Sequence, residues 1–438
     1  MIRPFYNLRP GALVPNIKVS RRDFIAMSGA VAIEAAIGHA QKSEKRLYAF
    51  VSSWTSGPNG GGDGGGIHVF SFDEEDGSLR LLSSIAPELN AGYICLSPDG
   101  KQLYSTDERK DAGHQPGAGG AVVAFEVDPT TAALKRLDTV PSMGAFPAFI
   151  SVAPDGSCVA VANHGSYDAT TRVVQEAGRP EVQRLYDDAS VALFPTGKDQ
   201  LSPASDVAVF AQQHAKGWEH ETGLDSIFQA SPHAHSVNFD PAGRHLLACD
   251  KGADRIYVYR LEENGPRLKQ LSVFDAPPGT APRHSAFHPN RPYVFVINEL
   301  MATMSSYRIT PPGALEFIQT VPTVSGNAVP SGKRNMPSDV HVHPSGRFVY
   351  GSTRGENSIA SFSVDLETGR LSPFELVSTL GSTPRGFNLS PDGRYLLVGN
   401  QDSNEVRTFR VDSDTGRLQP IGAKAEIPRP VCIKFSYL

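Results

Sequence analysis

Ser97-Pro98-Asp99-Gly100, followed at once by Gln102-Leu103-Tyr104-Ser105, is a tight turn feeding a short apolar strand. Proline presets φ for the turn, aspartate supplies the turn hydrogen bond, and glycine takes the left-handed position. The pair recurs at Ala153-Pro154-Asp155-Gly156, Asp240-Pro241-Ala242-Gly243, His288-Pro289-Asn290-Arg291, His343-Pro344-Ser345-Gly346 and Ser390-Pro391-Asp392-Gly393. Apolar strands follow each, as in Val159-Ala160-Val161-Ala162 and Tyr293-Val294-Phe295-Val296-Ile297. The turn prolines lie 56, 87, 48, 55 and 47 residues apart.

Working outward, each apolar strand is succeeded by an alternating one, such as Ile359-Ala360-Ser361-Phe362-Ser363-Val364. A hairpin such as Asp365 to Leu371 then leads to a more polar strand. Four short strands per repeat, with turn signals between them, predict an all-β fold built of propeller blades. Six turns open six blades. Leu47-Tyr48-Ala49-Phe50-Val51 matches a second strand with no first strand before it, and Pro430-Val431-Cys432-Ile433-Lys434-Phe435 matches a first strand with no blade after it. Joining the two completes a seventh blade and removes the open sheet edges. Residues 41–438 then form one seven-bladed β-propeller of about 57 residues per blade. The long interval before Pro241 holds an insertion of two polar stretches, 165–188 and 212–230, without strand alternation, which read as loops shaping a pocket on one face.

Composition agrees. Glycine and proline contribute 41 and 34 of 438 residues, about 17% against an ordinary ~12%, as a turn-rich fold requires. The net charge of -5 argues against a nucleic-acid-wrapping protein. Four cysteines, all in or beside apolar strands, exclude a disulfide scaffold, although Cys95 and Cys432 fall on first strands of neighbouring blades. The ten residues Gly57 to Gly66 are not a phosphate loop, because no Gly-Lys-Ser/Thr follows, and read as a hairpin loop.

Residues 1–40 read as an address. Ser20-Arg21-Arg22-Asp23-Phe24-Ile25 precedes a moderately apolar stretch from Ala26 to Ile37 and the small-residue site Gly38-His39-Ala40. That order resembles a twin-arginine export signal, so the expected location is periplasmic, with cleavage near Ala40 and the Tat translocon as a transient partner. The apolar stretch is too short to span a bilayer and carries Glu34, so no stable membrane span is expected.

The ends of the first two strands of each blade face the central funnel of a propeller. There the sequence places Pro232-His233-Ala234-His235, Ala281-Pro282-Arg283-His284, Asn298-Glu299, Asp339-Val340-His341, Thr353-Arg354-Gly355, Thr383-Pro384-Arg385-Gly386 and Gly399-Asn400-Gln401. Arginine offers planar bidentate hydrogen bonds to carboxylate or phosphate, so this recurrence suits an anionic ligand. A His-X-His pair on a strand puts both rings on one face, but no third ligand stands at metal spacing, and neither metal nor cofactor is expected. No Gly-X-Ser-X-Gly elbow or Cys-X-X-Cys is present.

Taken together these segments, with Asp250-Lys251-Gly252-Ala253-Asp254-Arg255 and Pro430 to Phe435, resemble the lactonase family of seven-bladed propellers, which includes 6-phosphogluconolactonases and carboxy-cis,cis-muconate cyclases. The resemblance implies chemistry that opens or makes a lactone. For the muconate branch it implies one His, two Arg and one Glu in the active site, which fall on His235, Arg283, Arg354 and Glu299, with His233 the alternative histidine. His233, His284, His341, Arg385 and Gln401 are the expected substrate contacts. In the implied hydrolysis the arginines hold the anion and stabilise the oxyanion, while Glu299 or His235 takes a proton from water and the other protonates the leaving alkoxide. A lactonising cyclase and a non-catalytic propeller binding an anionic metabolite or a protein partner are the alternatives, with the chain a monomer or dimer. The sequence departs from the family at Thr353, where Asn is common, and at Ala281, where Gly is usual. The phosphorylated pentose-pathway lactone is cytosolic, so an exported enzyme is expected to meet a different substrate.

Overall fold

The computed structural model describes residues 45–55, 64–112, 115–197, 200–210, 225–262, 265–326 and 334–438. The chain divides into two units, 1–45 and 46–438. The expected export signal lies outside the described residues, as does most of the glycine-rich stretch after Ser56.

Seven four-stranded antiparallel sheets follow one another along the second unit. Blade 2, for example, runs Ala91–Leu96, Gln102–Asp107, Ala121–Val127 and Leu134–Pro141. The first strands pack side by side in blade order, and the last of them, Pro430–Tyr437, returns to the one in blade 2, so the ring closes. Closure is the one the sequence predicts. Pro430–Tyr437 pairs with Leu47–Ser53, which pairs with Ile67–Phe72 and through it with Leu79–Ile85. The first and last strands of the chain thus share blade 1. Each turn proline sits between first and second strands, and in the five turns that carry a glycine its N–H bonds back to the turn's first carbonyl, as in Gly100 to Ser97 at 2.9 Å with φ of 72°.

Second strands read as unbroken apolar runs because neighbouring blades cover both of their faces. Tyr293–Asn298 and Tyr395–Asn400 are buried at every residue. Outermost strands such as Leu134–Pro141 are largely open to solvent and correspondingly polar. All four cysteines are buried and free, so Cys95 and Cys432 form no disulfide.

The first insertion differs from expectation. Thr170–Glu176 and Arg179–Leu185 form a two-stranded hairpin, exposed along almost its whole length, instead of an irregular loop. With no sheet face to cover, its sequence carries no burial-driven alternation, which is why it reads as loop. Of the second insertion, residues 225–230 are described, beginning with the single helical turn Asp225–Phe228.

One local device positions the site. In every blade the first strand carries a β-bulge near its start. Pro282 pairs with Asn298 and His284 with Ile297, which leaves Arg283 outside the ladder. His235 is skipped between Ala234 and Ser236, and Arg385 between Pro384 and Gly386. A bulge re-aims the side chain it releases. Here it turns the released residue into the funnel and sends the next one toward the axial core beneath.

Candidate active site

Two rings of side chains line the funnel. The upper ring is the residue that ends or follows the second strand of each blade: Trp54, Glu108, His164, Lys251, Glu299, Arg354 and Gln401. Each stands directly after a polar residue, respectively Ser53, Asp107, Asn163, Asp250, Asn298, Thr353 and Asn400, that is buried (half-buried for Asp107) and pairs with the start of the first strand. These polar residues clamp the blade end. Asn163 Nδ2 donates to Ser142 O at 2.8 Å, and Asn400 Nδ2 to Thr379 O at 3.0 Å. Thr353 keeps the role with a hydroxyl, 3.4 Å from Thr323 O. The lower ring is the bulged residues, of which His235, Arg283 and Arg385 face the cavity. Ala281, just before one bulge, sits at φ of 54°, a left-handed conformation that favours glycine and explains the family's usual residue there.

The cavity they enclose holds about 520 Å³. Lys251, Arg283, Arg354, Arg385 and Arg429 oppose Glu108, Glu299 and Asp168, so cations outnumber carboxylates. Phe146, Tyr167, Phe228 and Met336 supply apolar wall.

The charges separate into two poles. On blades 4 to 6, Glu299 is surrounded. Lys251 Nζ lies 2.8 Å from its Oε2, Arg283 Nε 3.6 Å from the same oxygen, and Arg354 Nη2 bonds Oε1. Burial by itself raises the Glu299 carboxyl, but Lys251, Arg354 and Arg283 overcome it and hold the group well below the usual carboxylate range. Burial in turn pushes Lys251 down to about 8, against the pull of Glu299. Arg283 is fixed from behind: Nη1 donates to Ser338 O and, at 3.1 Å, to His284 Nε2. His284 Nδ1 in turn lies 2.8 Å from Asp339 Oδ1. His235 is neutral here. Burial, then the positive charges of Arg283 and Lys251, keep its imidazole well below its ordinary value.

The other pole spans blades 7, 1 and 2. Arg385 lies with its guanidinium carbon 3.9 Å over the Trp54 ring, and among the described residues that guanidinium has no hydrogen-bond or ion-pair partner. Trp54 Nε1 donates to Glu108 Oε2 at 3.1 Å. Burial pushes the Glu108 carboxyl up to about 7, against the attraction of Arg385.

Of the nine residues the sequence singles out, His235, Arg283, Glu299, Arg354, Arg385 and Gln401 meet in this cavity. His233, His284 and His341, expected as substrate contacts, do not line it. His233 precedes its strand and stacks on His164, ring centroids 4.4 Å apart. His284 follows the bulge and therefore points into the axial core, against Phe149 and Tyr93. His341, three residues past its own bulge, faces a separate cavity at the other end of the axis, its Nε2 3.2 Å from Asp339 Oδ2. The bulge likewise breaks the strand alternation that would put His233 and His235 on one face. Among the described residues no group of three His, Cys, Asp or Glu side chains could hold a metal ion. Sequence reasoning gave no role to Lys251, Glu108, Trp54 or Tyr167. The first two carried a usable signal: each follows an acidic residue at a second-strand end, as Glu299 follows Asn298.

Fold and site together define a closed propeller whose funnel is lined by more cations than carboxylates. The chain belongs to the lactonase family: residues 48–435 match the family model described as lactonase, 7-bladed beta-propeller. It is 32% identical over 333 residues to a 6-phosphogluconolactonase of Formosa agariphila, covering 74% of this chain and 82% of that one. A 6-phosphogluconolactonase of Bacillus subtilis is 30% identical, with 90% and 99% covered. Among solved structures, the periplasmic gluconolactonase of Pseudomonas aeruginosa superposes with a TM-score of 0.72 at 28% identity, over 89% of this chain and 99% of that one.

Proposed function

We propose that this protein hydrolyses a sugar lactone bearing an anionic group, in the manner its 6-phosphogluconolactonase relatives are named for. The observation that carries this reading is the pole of Lys251, Arg283, Arg354 and Glu299. Three cations against one carboxylate leave a net +2, in a buried setting where all four side chains line the cavity. A phosphate monoester carries about −1.5 to −2 at neutral pH, so the pole matches it in sign and size. Glu299 serves as the fixed counter-charge that keeps three buried cations in one place. It is a poor base, because both of its oxygens are already paired. His235 is a neutral hydrogen-bonding group for substrate hydroxyls, since a proton added to it would join the cations beside it.

The decisive experiment is proton release from a panel of lactones with a pH indicator. Glucono-, 6-phosphoglucono- and muconolactone are compared, with Arg354→Ala as control. The reading expects the charged lactones to be preferred, and the preference to vanish in Arg354→Ala. Equal turnover of gluconolactone and its phosphate would favour an uncharged substrate, as the name of the Pseudomonas aeruginosa relative suggests. Turnover only in the ring-closing direction would favour a cyclase.

We also propose that residues 1–40 direct export through the twin-arginine route, on the strength of Arg21-Arg22 and the apolar stretch behind them. Replacing both arginines by lysine should retain the protein in the cytoplasm on cell fractionation. An unchanged distribution would refute it.

A further inference from the structure

The anion pole leaves the reaction without a base, and hydrolysis needs one. We propose that Glu108, held by Trp54 on the opposite side of the funnel, is the proton-transfer residue of the lactone hydrolysis, and that Arg385 beside it receives the developing oxyanion. The proposal rests on the hydrolase reading above and adds to it where the carbonyl lies.

Four observations converge. Glu108 occupies the same second-strand position as Glu299, three blades away, so it faces the anion pole across the cavity. Its partners differ completely. Glu299 has three cations, whereas among the described residues the Glu108 side chain has one bond, from Trp54 Nε1 to Oε2 at 3.1 Å, which leaves Oε1 uncommitted. Space for it is built in. The bulged position of its own blade is Gly92, where a Cβ would sit 2.1 Å from Glu108 Oε2, so any larger residue would displace the carboxylate. Finally, Arg385 lays its guanidinium, which has no hydrogen-bond or ion-pair partner among the described residues, on the face of the same Trp54, 3.9 Å from the ring centroid. A base and an oxyanion donor therefore share one indole as their support. Burial also brings the carboxyl to about 7, near the pH at which such a base works best.

Glu108 accepts a proton from water as the water oxygen bonds to the lactone carbonyl carbon, and the carbonyl oxygen becomes an oxyanion against Arg385. The tetrahedral centre collapses, the ring C–O bond breaks, and Glu108 returns the proton to the departing ring oxygen. The new carboxylic acid ionises and releases one proton to solvent. A substrate anchored by its phosphate or carboxylate at Arg354 and Lys251 thus extends its carbonyl toward blades 1, 2 and 7.

The test is Glu108→Gln in the full chain, assayed by proton release, with calorimetric binding of the ring-opened aldonate product. The expected result is a fall in kcat of about 10²–10⁴-fold with product affinity within about threefold of wild type. Wild-type kcat/KM should rise through an inflection near pH 7 that the variant lacks. Glu108→Ala should regain turnover with added formate, which a merely structural residue would not allow. Retention of kcat and of the inflection in Glu108→Gln would overturn the proposal while leaving the hydrolase reading intact. Absence of wild-type turnover on every lactone would overturn both.

Discussion

Glu108 makes a prediction about stability that is independent of any substrate. Burial raises its carboxyl from 4.5 to about 7. At about 1.4 kcal/mol per pH unit, holding it ionised in the folded state costs about 3 kcal/mol. The folded pKa lies above the unfolded one, so the favourable contribution is complete below about pH 4.5 and is lost as pH rises through about 7. Glutamine has no such dependence. Urea denaturation of wild type and Glu108→Gln at several values between pH 4.5 and 8 isolates the effect, because every other titrating group cancels in the difference. The wild type should lose about 3 kcal/mol relative to the variant across that range. A catalytic group held at a cost to folding is expected where function opposes stability. A difference independent of pH would show that Glu108 is solvated or paired, and the reasoning from burial would fail.

Further outcomes follow from the same contacts. Glu299→Gln strips the common partner from Lys251, Arg283 and Arg354 and should destabilise the fold by about 3–5 kcal/mol, read by denaturation at pH 7. Affinity for an anionic product should weaken as pH rises through about 8, where Lys251 loses its proton and the pole falls from +2 to +1; Lys251→Met should bind weakly at all pH values, as titration calorimetry would show. Gly92→Ala should lower kcat by an order of magnitude or more while leaving product binding at the far pole nearly unchanged, because the three atoms nearest the new methyl all belong to the Glu108 side chain.

The sequence was legible where physics is local. A Pro-Asp-Gly turn and the apolar run behind it announce themselves within ten residues, and their recurrence set the blade count. Closure was legible too, since Leu47–Ser53 lacks a first strand and Pro430–Tyr437 lacks a blade. The exposed hairpin Thr170–Leu185 was not, because nothing buries one of its faces.

Six of nine candidate residues reach the cavity because blade equivalence puts strand ends around one axis, and that much repetition predicts. Which neighbour faces the funnel was decided by the bulges. Arg283 and His284 are adjacent, and a regular strand would send them to opposite sides in either register; only the skipped pairing between Pro282 and His284 settles that arginine looks into the cavity and histidine into the core. Roles were decided at still longer range. Glu299 and Glu108 are the same residue at the same blade position, yet three cations hold one far below its ordinary range while burial beside Trp54 lifts the other. Trp54, Glu108 and Arg385 come from three blades at distant points in the chain, and their contact exists only because the ring closes. Sequence alone thus determined the propeller and most of the candidate residues around its axis, since turns and strands are encoded locally. The tertiary structure alone decided which carboxylate is spent on cations and which is left to move a proton, since a carboxyl group's pKa depends on neighbours that only the closed ring brings within reach.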